Sequence, residues 1–296
     1  MVPPAAPPFL RRWIGLELMS TQTTHARPRL AGVLALFAIC LSVGAVSCAS
    51  GSRVTVDVDS ASSPAEEAYL IGRARLQRGD YEGAISAFDT VRSDFPYSRY
   101  AALSELKIAD AYFEQQQFAS AAEQYRSFVK LHPNSDRIAY ARFRTAKAVY
   151  EKMPSDWFFM PPVHQRDLSA TKTAVKELRT FLRRHPKSKY AEDAEKLLRK
   201  SRRLLADHEM YVAEFYLDRN NAEAASMRLK YLLNNYSGLG LDPKALYLLA
   251  RSYLDLGDMQ GARTALQDLL EYHSGSDYAR KAKNLIESKD LQLKSG

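Results

Sequence analysis

Gly79-Asp80-Tyr81-x-x-Ala84-x-x-x-Phe88-x-x-Val91-x-x-x-x-Pro96 is the stretch on which the fold turns, because it comes back. It returns as Gln117-Phe118-x-x-Ala121-x-x-x-Tyr125-x-x-Phe128-x-x-x-x-Pro133, and again as Ala174-x-x-x-Leu178-x-x-Phe181-x-x-x-x-Pro186. Shorter versions follow at Ala225-x-x-x-Leu229-x-x-Leu232 and Gly257-Asp258-Met259-x-x-Ala262-x-x-x-Leu266-x-x-Leu269. The alanines 84, 121, 174, 225 and 262 are 37, 53, 51 and 37 residues apart. Apolar residues three and four apart lie on one face of a helix, and no strand-like alternation persists after Ala65. A second helix precedes the motif, with Ile71-Gly72 and Ile108-Ala109-x-x-Tyr112 at matching offsets. Repetition at this period means stacked helical units.

The residue sizes fit that reading. Gly72, Ala84, Ala109 and Ala121 are small enough for two antiparallel helices to approach closely, and Tyr81, Phe88, Phe118 and Tyr125 fill the space to the next pair. Prolines 96, 133 and 186, the last two preceded by His132 and His185, stop the second helix of each pair. The pattern resembles the tetratricopeptide repeat. That resemblance implies an all-α, right-handed superhelical solenoid of about five hairpins with a concave face, because no hairpin buries its apolar side alone.

The two intervals above fifty mark departures. Pro154-Ser155-Asp156-Trp157-Phe158-Phe159-Met160-Pro161-Pro162 is a Pro- and aromatic-rich loop, either packed on its own hairpins or offered to a partner. Ser188 to Asp218 holds neither Gly nor Pro, and is expected as one long helix or as two bent near Asp207-His208. Such a helix would join the two ends of the array rigidly.

The chain has 296 residues, 46% hydrophobic and 26% charged, with two cysteines and a net charge of +8. This is the composition of a folded protein without a disulfide framework. Leu30 to Val46 is seventeen residues without a charge, preceded by Arg27 and Arg29. The segment reads as an export signal in residues 1–47, with Met19 as the expected start. The alternative is an uncleaved membrane anchor, and cleavage is favoured because small residues and a Cys follow with no basic flank. Ala45-Val46-Ser47-Cys48 resembles the lipobox of bacterial lipoproteins, with Ala in place of the usual first Leu. The resemblance implies acylation of Cys48, for example with palmitate, and Ala49 after it implies the outer membrane rather than the inner. Beyond Cys48, residues 49–64 read as a tether of roughly 20–24 Å as a coil and about 55 Å when stretched. The mature chain has 38 basic and 33 acidic residues, a net +5 with the signs interspersed apart from clusters such as Arg199-Lys200-Ser201-Arg202-Arg203. This does not support nucleic-acid binding.

No catalytic arrangement emerges. His208-Glu209 does not extend to a zinc-binding HExxH, because Val212 stands at the second His position. No GxSxG, GxGxxG or phosphate-binding loop occurs, and the carboxylates alternate with Lys and Arg along helix faces. No enzyme, cofactor or metal site is expected.

Lipobox, tether and five hairpins together resemble the BamD family of outer-membrane lipoproteins. Local matches are Asp94-Phe95-Pro96-Tyr97-Ser98-Arg99-Tyr100-Ala101 at the first inter-repeat turn, Gln165-Arg166-Asp167 before the third second-helix, and Tyr190-x-x-Asp193-Ala194 with Tyr211-Val212-Ala213-Glu214-Phe215-Tyr216 in the long helix. The organisation expected is signal 1–47, acylated Cys48 and tether 48–64, first repeats 65–150, loop 151–166 and C-terminal repeats 167–289. The resemblance implies a lipid-anchored scaffold at the periplasmic face of the outer membrane. Its C-terminal repeats would bind a periplasmic POTRA domain of BamA, beside other lipoproteins of the assembly machine. Its N-terminal groove would receive unfolded β-barrel precursors. Tyr97, Arg99, Lys107 and Tyr112 are the groove residues expected on that basis, and Arg219, Arg228 and Lys230 the BamA contacts. Two other envelope proteins remain as alternatives: another repeat lipoprotein such as a pilotin for a secretin ring, and a periplasmic repeat protein of the Tol and cell-division system. The first should lack the Arg166-Asp167 loop and the long helix. The second should carry a heptad segment before its repeats, where residues 49–64 have none.

Overall fold

The same two turns recur down the chain, and they make the hairpins. The protein is described from a computed structural model covering residues 61–153 and 162–289, all within one compact unit, Val54–Gly296. The expected export signal, the expected acylation site Cys48, most of the expected tether and residues 154–161 of the expected loop lie outside the described residues. Among the described residues every regular element is helical: α1 (Pro64–Gln77), α2 (Tyr81–Asp94), α3 (Arg99–Glu114), α4 (Phe118–Leu131), α5 (Ile138–Glu151), α6 (Ser169–Arg184), α7 (Ala191–Leu217), α8 (Ala222–Tyr236), α9 (Asp242–Asp255), α10 (Met259–Tyr272) and α11 (Asp277–Ser288). A 3-10 turn at Val163–Gln165 precedes α6.

Inside a hairpin, the first helix ends on a residue in the left-handed region: Gly79, Gln116, Asn220 and Gly257, with φ of 79°, 61°, 55° and 75°. Glycine occupies two of these positions because it has no Cβ to clash there. The next amide folds back on a carbonyl five residues earlier in all four cases, Asp80 to Arg75, Gln117 to Tyr112, Asn221 to Tyr216 and Asp258 to Tyr253. In three of them the same residue then caps the following helix, with Asp80, Asn221 and Asp258 accepting from the amides of Gly83, Ala224 and Gly261. Between hairpins a different turn recurs. Phe95, His132, His185 and His273 each end a second helix and each accept from the serine three residues on.

Consecutive helices pack against one another from α1 to α10, giving five hairpins stacked as a helical solenoid, and α11 covers α9 and α10 at the end. The seam inside each hairpin is made of small residues. Ala84, Ala121, Ala174, Ala225 and Ala262 are all 0% exposed. Gly72, Ala109, Ala146, Ala213 and Ala250 on the first helices are buried as well. Phe88, Tyr125, Leu178, Leu229 and Leu266 follow one turn after the five alanines and are fully buried. A Cβ on Gly72 would sit 2.7 Å from Phe88 Cε1, so only hydrogen fits there.

The long segment before α8 is one continuous helix, α7, without a break near Asp207-His208. It starts at Ala191, after the turn built on Ser188. At the other end Pro64 is the first residue of α1, capped by Ser63, and so belongs to the helix rather than to the tether.

One polar cluster interrupts the apolar core. Asp110 of α3 is buried, and the Tyr125 and Tyr140 hydroxyls both donate to its Oδ1 at 2.5 Å. Lys107 Nζ donates to Oδ2 at 2.7 Å, and the Arg144 guanidinium lies 3.8 Å from Oδ1. Arg144 also donates to the Tyr125 hydroxyl at 2.9 Å and lies 3.9 Å over the Phe113 ring. Burial, and then the Asp110 charge, raise the pKa values of both tyrosines, so they stay protonated donors. Burial alone would lower the Arg144 pKa, but Tyr125, Tyr140 and Asp110 outweigh it and raise it. With members on α3, α4 and α5, the cluster cross-braces the second and third hairpins.

Three stability predictions rest on this packing. Gly72→Leu should destabilise the chain by about 3 kcal/mol in urea unfolding, through displacement of Phe88. Asp110→Ala should cost about 3 kcal/mol because it leaves the Tyr125 and Tyr140 hydroxyls without their shared acceptor, while Arg144 keeps only the Glu114 carboxylate at 3.4 Å. Lys107→Ala, whose ammonium is partly in water, should cost only about 1 kcal/mol in the same assay.

Candidate functional site

The expected functional residues fall into two regions. At the N-terminal end, Tyr97 is fully exposed on the turn between α2 and α3. Arg99 opens α3 and donates to the Tyr100 hydroxyl at 2.7 Å, with its guanidinium 4.8 Å from that ring. Lys107, two turns further along, is held by Asp110. Tyr112 is five residues beyond Lys107 and so about 140° around the helix. It is half-buried and packs on the cores of both the first and second hairpins. Tyr97 and Arg99 therefore share one end of α3, while Lys107 and Tyr112 face different surroundings.

In the C-terminal region, Arg219 sits in the turn between α7 and α8, its guanidinium 3.5 Å over the Phe215 ring. It lines an open cleft of about 1060 Å³ together with Glu214, Leu217, Arg251, Asp255 and Leu256. Arg228 of α8 pairs with Glu209 of α7 at 3.3 Å, with nearly half of its side chain in water. Lys230, half a turn around α8 from Arg228, lines a separate groove of about 510 Å³ between α8, α9 and α10 and lies 5.9 Å from the Tyr253 ring. The three cations are thus divided between different faces of the last hairpins.

Exposed apolar side chains, which the repeat pattern does not single out, occur along the same stretch of chain as these cations. Phe215, Met227, Tyr231, Leu256, Met259 and Tyr272 are six of the eight large hydrophobic residues exposed among those described. Only the phase of the sequence hints at them. Met227 and Tyr231 are four apart on α8 but out of register with the buried Ala225, Leu229 and Leu232. The Asp110 cluster was also legible only in hindsight, as one carboxylate between Ala109 and Ala111 in an apolar helix.

The loop before α6 is tied down at both ends of its described part. Asp167 accepts from the Ser169 amide at 2.9 Å and from its hydroxyl at 2.8 Å, and these bonds hold its carboxyl below the usual range. His208 Nδ1 donates to the His164 carbonyl at 2.6 Å, fastening the 3-10 turn to α7. Among the described residues no group of three or more His, Cys, Asp or Glu is placed to hold a metal ion, and no helix is long and apolar enough to cross a membrane.

A family model described as "YfiO: Outer membrane lipoprotein" matches residues 61–269. The chain is 30% identical over 246 residues to the outer membrane protein assembly factor BamD of Pasteurella multocida, covering 81% of this chain and 91% of that one. It is 29% identical over 231 residues to the protein of the same name from Neisseria meningitidis serogroup A, covering 74% and 84%. Among solved structures, the TPR2AB-domain:pHSP90-complex of yeast Sti1 aligns with a TM-score of 0.39 at 13% identity, covering 76% and 84%, a likeness too distant to carry an argument. With its hairpins matched from the first described residue into α10, and a relative covered almost end to end, the chain belongs to the YfiO (BamD) family of outer membrane lipoproteins.

Proposed function

We propose that the protein is an outer-membrane lipoprotein scaffold for β-barrel assembly, held at the periplasmic face by acylated Cys48. It binds a POTRA domain of BamA through α7–α10 and receives unfolded barrel precursors at its N-terminal hairpins. The role requires no bond to be made or broken. The observation that carries the C-terminal half of this reading is that six of the eight large hydrophobic residues exposed among those described fall between Phe215 and Tyr272, the segment that holds Arg219 and Arg228, with Phe215 and Leu256 beside Arg219. Protein interfaces of moderate size combine such an apolar centre with arginines and aromatics at the contact. At the other end, exposed Tyr97 and Arg99 offer an aromatic ring and a cation to an extended, aromatic-ended precursor segment, with Lys107 and Tyr112 further along α3.

Arg228→Glu should weaken binding of the BamA POTRA domain about tenfold or more in a pull-down titration, with an unchanged circular dichroism spectrum. Glu209→Gln breaks the same internal pair but keeps the cation, and should leave binding within about twofold. Equal loss in both variants would assign Arg228 a structural role instead. For the N-terminal hairpins, Arg99→Glu in the full mature chain should reduce crosslinking to an unfolded barrel precursor without changing POTRA binding. Unaltered crosslinking removes Arg99 from the precursor site.

A further inference from the structure

Charge is distributed very unevenly along the chain. Residues 172–203 contain twelve basic and four acidic side chains, a net +8, which leaves the rest of the mature chain at −3. Part of this charge is used internally. Arg202 donates to the Asn235 carbonyl in the last turn of α8 and Arg203 to the Leu239 carbonyl in the loop after it, Arg203 also pairs with Asp207, and Lys196 pairs with Glu192. What remains is ordered on α6. Lys172, Lys176, Arg179 and Arg183 are spaced four, three and four residues apart, which places them in one stripe down the helix. All four are exposed, and none makes an ion pair among the described residues. The opposite side of α6 is the buried one, through Ala174, Leu178 and Phe181. The one carboxylate of α6, Glu177, is turned away to Arg126 of α4 at 2.9 Å.

We propose that this stripe is a docking face for the anionic phospholipid headgroups of the membrane that holds the protein. The choice of occupant rests on what the face lacks. A protein partner would be met by apolar or aromatic anchors, as on the last hairpins. None of the exposed large hydrophobic residues lies on α6, and the positions beside the cations are Ser169, Thr173 and Thr180. Long, flexible, unpaired cations flanked by small hydroxyl residues suit a dense layer of phosphates, whose attraction acts within about 8 Å at physiological salt. The proposal rests on the reading of the chain as an outer-membrane lipoprotein. The acyl anchor keeps the body near the bilayer, and the α6 stripe sets which side of the third hairpin faces it.

The test uses the mature chain, residues 48–296, with Cys48→Ser so that no acyl chain contributes. It is sedimented with vesicles of phosphatidylethanolamine and phosphatidylglycerol, and separately with vesicles of phosphatidylcholine. The expected result is binding to the anionic vesicles alone, weakening as salt is raised. Replacing Lys172, Lys176, Arg179 and Arg183 together by Gln should lower the partition coefficient about fivefold per residue, several hundredfold in all. Replacing Arg78, Arg92, Lys130 and Lys283 by Gln removes the same charge elsewhere and should cost far less. Equal binding to both vesicle types, or equal losses in the two quadruple variants, overturns the proposal. So does stripe-dependent binding to the POTRA domain without vesicle binding, which would make the face a protein contact. Acylation of Cys48 is read separately by mass spectrometry of the native lipoprotein, so a failure of the anchor and a failure of the stripe are told apart.

Discussion

The contact on which the structure depends is the one between small residues inside each hairpin. Five alanines, at 84, 121, 174, 225 and 262, are without exposure, and Gly72, Ala109, Ala146, Ala213 and Ala250 on the paired helices are buried too. Side chains this small leave room for the large residue one turn on: Phe88 packs on Gly72 and Tyr69 of its paired helix, and Tyr125 reaches Asp110 of its paired helix and Tyr140 of the next hairpin. Close packing tolerates little variation here. The solenoid is therefore a chain of nearest-neighbour contacts, and its stability is a property of the stack rather than of any one hairpin.

Against that apolar background the Asp110 cluster is an exception. A buried carboxylate is costly unless its lone pairs are filled, and here two hydroxyls, an ammonium and a guanidinium surround it. Apolar contacts between hairpins permit some sliding, whereas donors aimed at one carboxylate permit little. The brace lies between the hairpins next to the N-terminal face and those leading into α7. That long helix is continuous, so the relative placement of the two halves is set by one rigid element and one polar joint.

The surface divides the remaining chemistry by region. Exposed apolar residues gather on α7 to α10, while unpaired cations gather on α6. These two kinds of surface favour different partners, one through desolvation and the other through long-range attraction that salt screens. Keeping them on separate helices lets a scaffold hold more than one neighbour without competition between them.

How much was legible in the sequence follows from this physics. The hairpin count and the small residues at the repeat positions were readable, because each depends on neighbours close along the chain, whereas the long segment before α8 was legible as helical but not as one helix or two. The stop at His132 and His185 was readable from the prolines, yet the matching turn at His273, which has no proline, was not. Site residues were legible as types but not as a constellation. Lys107 and Tyr112 are five residues apart yet meet different surroundings, and Arg228 and Lys230 are two apart yet line different faces. By itself the sequence determined an α-helical repeat with close small-residue contacts, since a period of three and four admits no other packing. Only the tertiary structure decided that Asp110 joins three helices and that Arg228 meets Glu209. Those partners are 15 to 34 residues apart in the chain, and nothing but the stacking of one hairpin on the next brings them within reach.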